Sequence, residues 1–120
     1  MKILIVDDDK ITRKILSFYL KSKGHQIITA ENGLDAIEKI GVEPVDMIVT
    51  DLNMPYMDGL ELTRTIRADA VMCGIPVIMI TTEADDEERK QADEAGVTDY
   101  LVKPASADQI AASIQRIQRG

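Results

Sequence analysis

Met47-Ile48-Val49-Thr50-Asp51-Leu52-Asn53-Met54-Pro55-Tyr56-Met57-Asp58-Gly59 is the stretch on which the reading of the chain turns. Met47, Ile48 and Val49 form a short apolar run that reads as a buried strand. Asp51 follows at its C-terminal end, where a side chain leaves the sheet and meets solvent, so it should point into a crevice. Pro55 has no N–H to donate and stops the strand continuing. Asp58 is placed to cap a helix, and Glu61, three residues on, would complete a capping box. The order is strand, exposed carboxylate, rigid turn, helix.

The same alternation runs through the chain. Ile3-Leu4-Ile5-Val6, Gln26-Ile27-Ile28, Met47-Ile48-Val49, Val77-Ile78-Met79-Ile80 and Tyr100-Leu101-Val102 are mostly β-branched and lack strict period-two patterning. Strands covered on both faces read this way. Helical segments lie between them. Ile11, Ile15 and Phe18 share one face of the first and predict its packing stripe. Leu34, Ile37 and Ile40 mark the second, expected to end at Gly41. Leu62 and Ile66 mark the third; Ile110, Ile114 and Ile117 mark the last. Capping boxes are also predicted at Asp85…Glu88 and Ser106…Gln109, and Gly24 and Gly96 suit helix stops. Strand and helix alternating five times imply an α/β fold of parallel strands joined by right-handed crossovers. The fourth helix, about Asp85 to Ala95, has Ala92 and Ala95 but no large apolar side chain, so it should be the least firmly held.

The 120 residues suit one domain, taken as 1–120 with no output domain following it. At 45% hydrophobic and 29% charged residues the chain should be globular rather than disordered. Its net charge of −7 argues against nonspecific binding to nucleic acid or an anionic membrane, which needs a basic face. Cys73 and His25 are the only residues of their types, which excludes an internal disulfide, a thiolate metal cluster or a His-rich zinc site. No signal peptide is recognisable and no apolar run approaches a membrane span, so the expected compartment is the cytoplasm.

The residues just past each strand carry the chemistry. Asp7, Asp8 and Asp9 come after the first, Asp51 after the third, Thr81, Thr82 and Glu83 after the fourth, and Lys103-Pro104 after the fifth. In an open parallel sheet all these ends lie along one edge, where ligands bind. Gathered carboxylates repel, and a hard divalent cation relieves the repulsion. An all-oxygen site that leaves room for water suits Mg²⁺. The cation and Lys103 together balance Asp7, Asp8 and Asp51, so a phosphoryl group could enter without large opposition. A carboxylate can act as a nucleophile toward phosphorus, with the metal and lysine neutralising the transferring oxygens.

The Asp7-Asp8 pair, Asp51 in Asp-Leu-Asn-Met-Pro…Met-Asp-Gly, Thr81, Tyr100 and Lys103-Pro104 together resemble the response-regulator receiver domain of two-component signalling, over essentially the whole chain. The resemblance implies a flavodoxin-like (βα)5 fold with strand order 2-1-3-4-5, which sets Asp7, Asp8 and Asp51 around the switch point. It implies Asp51 as phosphoacceptor, taking a phosphoryl group from a phosphohistidine on a sensor kinase or a histidine phosphotransfer protein. Mg²⁺ would be held by Asp8 and Asp51, by the Asn53 carbonyl, and by Asp7 through water. Lys103 would pair with the phosphoryl group, Thr81 would donate to it, and Tyr100 would swing inward behind Thr81. The Lys103-Pro104 bond is often cis in the family. Thr82 is bulkier than the usual residue there and would restrict access to the acyl phosphate. Ala105 stands where Phe is common.

Other residues are expected to be structural. Asp9 and Lys10 read as first-turn surface residues, His25 as exposed and inert, Cys73 as a small packed apolar residue, and Met54 and Met57 as turn packing. Three other functions are weaker. Asp7-Asp8-Asp9 gives the Asp-x-Asp of Mg²⁺-dependent aspartyl phosphatases, but Ile11 departs from their pattern and no cap domain is present. Flavin binding needs a phosphate-accepting loop after the first strand, which three aspartates oppose. An unphosphorylated interaction module should lack site residues, and none is missing.

The expected product is a stand-alone, monomeric receiver, not an enzyme beyond its own phosphorylation and dephosphorylation. It would switch a protein-binding face made by helix 4, strand 5 and helix 5 for a downstream target. The resemblance leans to the chemotaxis type; a phosphorelay intermediate passing phosphate to a histidine phosphotransfer domain is the alternative. Kinase recognition is expected on the first helix, including Thr12, Arg13 and Lys14.

Overall fold

The computed structural model describes residues Met1–Gly120. The chain alternates as β1 (Lys2–Val6), α1 (Lys10–Ser22), β2 (Gln26–Ala30), α2 (Gly33–Val42), β3 (Met47–Asp51), α3 (Gly59–Ala68), β4 (Val77–Thr81), α4 (Asp86–Ala95), β5 (Asp99–Val102) and α5 (Ala107–Arg119). The strands form one parallel sheet in the order β2-β1-β3-β4-β5. This is the flavodoxin-like order that the resemblance implies, with its reversal between β1 and β3.

Alternate residues of the central strands enter different cores. Ile3 and Ile5 of β1, Met47 and Val49 of β3, and Ile78 and Ile80 of β4 pack with Leu16 and Leu20 of α1 and Ile110 and Ile114 of α5. Leu4, Val6 and Ile48 pack instead with Ala36 and Ile40 of α2 and Leu62 and Ile66 of α3. A smaller cluster joins Met79 to Leu52, Leu60, Tyr100 and the two alanines Ala92 and Ala95 of α4. The unbroken apolar strand runs have this cause: both pleat faces are covered.

Several local expectations change. The Ile11, Ile15 and Phe18 stripe of α1 faces outward, at 67%, 65% and 79% exposure, and α1 is anchored by Leu16 and Leu20. Leu34 is likewise exposed. Gly41 lies inside α2, which stops at Val42 with Glu43 in extended backbone. Asp58 and Asp85 cap α3 and α4 as single acceptors, from the Glu61 and Glu88 N–H groups. Only Ser106 and Gln109 form a reciprocal capping box. Cys73 is exposed rather than packed. His25 is half-buried, its Nδ1 3.4 Å from the N-terminal amine, and burial lowers its pKa.

Candidate functional site

Register builds the site. Val6 pairs with Thr50, so Asp7 comes level with Asp51 as both strands end. Asp51 pairs with Ile80, and Thr81 with Val102, so Thr81 and Lys103 stand one step further along the same edge. The Lys103 N–H donates to the Thr81 carbonyl at 2.7 Å, tying the two tips together. Asp7 continues the parity of Ile3 and Ile5, and Asp51 that of Met47 and Val49, so both leave the sheet toward the α1/α5 side. Thr81 continues the parity of Met79 and leaves toward α4.

Asp7, Asp8 and Asp51 each offer a carboxylate oxygen within 4.8 Å of the others. Lys103 Nζ lies 3.3 Å from Asp51 Oδ1, and the Asp51 side chain is only 11% exposed. That oxygen also accepts the Leu52 N–H at 2.9 Å, which fixes the carboxylate plane. Asp7 is buried and Asp8 exposed. Burial pushes the Asp7 carboxyl above its ordinary pKa of 3.8; the Asp9 N–H opposes the rise, the Asp51 charge adds to it and the Lys103 charge opposes it. A buried acid crowded by a second carboxylate is what a hard cation would relieve, and the donors are all oxygen, so this set fits Mg²⁺.

The third aspartate has a different task. Asp9 is the N-cap of α1, accepting from the Ile11 and Thr12 N–H groups and the Thr12 hydroxyl, rather than a spare surface residue. That leaves Asp7 and Asp8 free of capping. Arg13 is also not a free surface residue. Its guanidinium donates to the Asp7 carbonyl at 2.6 Å and reaches Glu31 at 3.8 Å, and its side chain is 13% exposed.

The loop after Asp51 is held from several sides. Asn53 is exposed, two residues past Asp51. The Met57 N–H donates to the Pro55 carbonyl across Tyr56, whose φ is +70°. A non-glycine residue there costs roughly 1–2 kcal/mol. The turn persists because its next residues are fixed: the Gly33 N–H donates to the Met57 carbonyl at 3.0 Å, and Asp58 caps α3. A Cβ on Gly59 would stand 2.3 Å from the Asp51 carbonyl oxygen, so only glycine lets α3 begin this close to the site. The Lys103–Pro104 peptide is cis.

On the α4 side, Thr81 is fully buried and its hydroxyl accepts the Glu83 N–H at 3.0 Å. The Tyr100 ring is already inward, at 7% exposure. Its hydroxyl donates to the Glu83 carbonyl, and the Arg89 guanidinium sits 5.5 Å above the ring. The sequence places Asp7, Asp8, Asp51, Thr81 and Lys103 on one edge but does not show the Arg13 bond to the Asp7 carbonyl, the Asp9 cap or the packing of Gly59. Asp-Gly opening the third helix was the only signal for the last.

Residues 3–115 match the response regulator receiver domain family. The chain belongs to that family. Chemotaxis protein CheY-3 of Vibrio cholerae serotype O1 is 41% identical over 118 residues, which cover 98% of this chain and 91% of that protein. The crystal structure of Vibrio cholerae chemotaxis protein CheY4 superposes with a TM-score of 0.91 at 33% identity, covering 97% of each chain. The signal receiver domain of a signal transduction histidine kinase from Syntrophus aciditrophicus gives 0.92 at 30% identity, covering 99% of this chain and 90% of that one. The protein is thus a CheY-like receiver of two-component signalling. Receivers bind Mg²⁺ at an acidic pocket, accept a phosphoryl group, and engage kinases and downstream targets. No helix is long and apolar enough to cross a membrane.

Proposed function

We infer that this chain is a cytoplasmic response regulator of the chemotaxis type in which Asp51 accepts a phosphoryl group from a phosphohistidine on a partner kinase. The observation that carries the reading is the ion pair of Lys103 Nζ with Asp51 Oδ1 at 3.3 Å, beside two further carboxylates. Asp51 attacks phosphorus, its O–P bond forms as the P–N bond of the donor breaks, and the imidazole keeps the electron pair. Lys103 neutralises a phosphoryl oxygen, and a fixed carboxylate plane supplies the orientation on which phosphoryl transfer mostly depends. Asp7, Asp8, Asp51 and the Asn53 carbonyl would hold Mg²⁺, which supplies charge neutralisation at the transferring oxygens. Docking of the donor is favoured by the exposed Ile11, Ile15 and Phe18 on α1.

Output arises on the α4 side. The Thr81 hydroxyl now accepts from Glu83. Turned to donate to a phosphoryl oxygen, it gives up that bond, and the Glu83 segment that Tyr100 holds is released to rearrange with α4. The face of α4, β5 and α5 then changes its affinity for a target protein. Phosphorylation shifts an existing equilibrium, and moving it from 1:99 to 99:1 takes about 5.5 kcal/mol of differential interaction.

Acetyl phosphate with Mg²⁺, followed by intact mass, tests the acceptor. The wild type should gain one phosphoryl group and Asp51→Ala should gain none. Equal labelling of the two would reject Asp51.

A further inference from the structure

A cleft of about 550 Å³ opens directly beside Asp51 and Lys103. Asp7, Asp51 and Lys103 stand at one end, and Leu16, Val49, Ile80, Ala105 and Ile110 are among the residues lining the rest. Its position is set by parity: the reactive side chains leave the sheet on the α1/α5 side, and the cleft lies on that side. Its existence is owed in part to Ala105, a methyl-sized side chain between the cis Lys103–Pro104 peptide and the start of α5. The volume falls in the range of small-molecule sites, which are apolar with a few convergent polar groups.

We propose that this cleft is a binding site for the apolar acyl group of small acyl phosphates, so that the chain is phosphorylated preferentially by donors with a longer hydrocarbon group than acetyl. The inference rests on Asp51 being the acceptor. Two observations choose this occupant. The only cation at the cleft is Lys103, beside the carboxylate that would attack, so an anionic head is drawn there and not deeper. The walls below are mostly aliphatic; Thr12, Thr50 and Thr82 are the polar exceptions, and the Thr12 and Thr50 hydroxyls are already donated to Asp9 and to the Asp51 carbonyl, so the cleft rewards a hydrocarbon tail over a polar one. The step balances: the Asp51 oxygen forms a bond to phosphorus, the bond from phosphorus to the acyl oxygen breaks, and the departing carboxylate keeps the electron pair. No proton or further reactant is required.

The test is phosphorylation of the full chain in Mg²⁺, followed by intact mass, with acetyl phosphate and butyryl phosphate as alternative donors. Each methylene moved out of water is worth a factor of about four, so the two extra in butyryl predict roughly fifteenfold higher labelling efficiency. Ala105→Phe fills the cleft and should bring the ratio of the two donors near one. A readout without phosphoryl transfer uses wild type alone: n-butylphosphonate should shift the methyl resonances of Leu16, Ile80 and Ile110, and methylphosphonate should not. Acetyl phosphate working while butyryl phosphate gains nothing would overturn the proposal and leave Asp51 standing; a cleft reserved for an apolar side chain of a protein donor gives that result. A preference that survives in Ala105→Phe would overturn it equally. Labelling by neither donor would remove Asp51 as acceptor and the proposal with it.

Discussion

Helices α3 and α4 have the same length, ten residues, and each comes after a strand that ends in the site. Both start from an aspartate cap. Their inner faces differ. The α3 helix buries Leu60, Leu62 and Ile66, whereas α4 buries only Ala92 and Ala95. A fully buried Leu or Ile is worth about 1.5–3 kcal/mol, and an alanine methyl much less. So α3 is fastened along its length and α4 chiefly at its ends. At the N-terminal end Tyr100 and Thr81 hold Glu83. At the C-terminal end the Arg67 Nε of α3 donates to the Gly96 carbonyl at 3.0 Å. On the proposed reading, Asp51 as acceptor is mounted next to the fixed helix, and the charge change is read out on the loose one. A switch needs both: an acceptor that stays aligned and an element whose two arrangements differ by little.

The sharpest way to break the comparison is to truncate each helix. Ile66→Ala should cost about 2–5 kcal/mol in urea unfolding, because it empties a fully enclosed site. Ala92→Gly, the corresponding change in α4, should cost only ~1–2 kcal/mol from lost propensity and one methyl. Hydrogen exchange should then show α4 amides opening at lower free energy than α3 amides in the wild type. Equal costs, or equal protection, would remove the distinction between the helices.

Much of this was legible before any coordinates. Five short β-rich runs spaced by helical segments carried the fold, and Asp7, Asp51, Thr81 and Lys103 stood at strand ends where a parallel sheet gathers them. The alanine-only face of α4 was legible for the same reason. What failed was the choice between two apolar stripes on α1. Ile11, Ile15 and Phe18 make as good a helical stripe as Leu16 and Leu20, and periodicity does not say which of them meets the sheet. The run of three aspartates was similarly ambiguous. Which one caps the helix depends on where the chain turns, and Asp9 takes that position through two backbone N–H groups. Arg13 looked like a surface charge because its acceptor is a backbone carbonyl, which no residue pattern displays.

A second test concerns the acceptor end of the comparison. Burial, reinforced by the Asp51 charge, raises the Asp7 pKa in the folded chain. A carboxyl with a raised folded pKa stabilises the fold below its unfolded value of about 3.8 and loses that contribution as pH rises through the folded value. Without divalent cation, Asp7→Asn should therefore melt a few degrees above wild type at neutral pH. The gap should shrink toward pH 4 and should also close on adding Mg²⁺, which stabilises wild type far more than the variant. Asp99 titrates in the opposite sense. Burial raises its pKa, but hydrogen bonds from Ser113, Arg116 and the Tyr100 N–H outweigh that and hold it low. Its contribution is present above its ordinary pKa and is lost on acidification through the lower folded value, so the difference between variants is the quantity to follow. A wild type more stable than Asp7→Asn at neutral pH in chelator would contradict the crowding of carboxylates.

The smallest expected effect probes the readout end. Tyr100→Phe removes one hydrogen bond, from the hydroxyl to the Glu83 carbonyl, while the ring can keep its place among Met79, Ala92 and Ala95 and beneath Arg89. A bond of this kind is worth about 0.5–1.5 kcal/mol net, and water can reach a partly exposed carbonyl to replace it, so global unfolding should move by no more than that. The local consequence should be larger than the global one. With Glu83 held only by Thr81, amides at the start of α4, Glu87 to Arg89, should exchange severalfold faster, and those of α3 should not change. If protection falls equally in both helices, Tyr100 supports the core as a whole; if it falls in neither, α4 is fastened by something other than its ends.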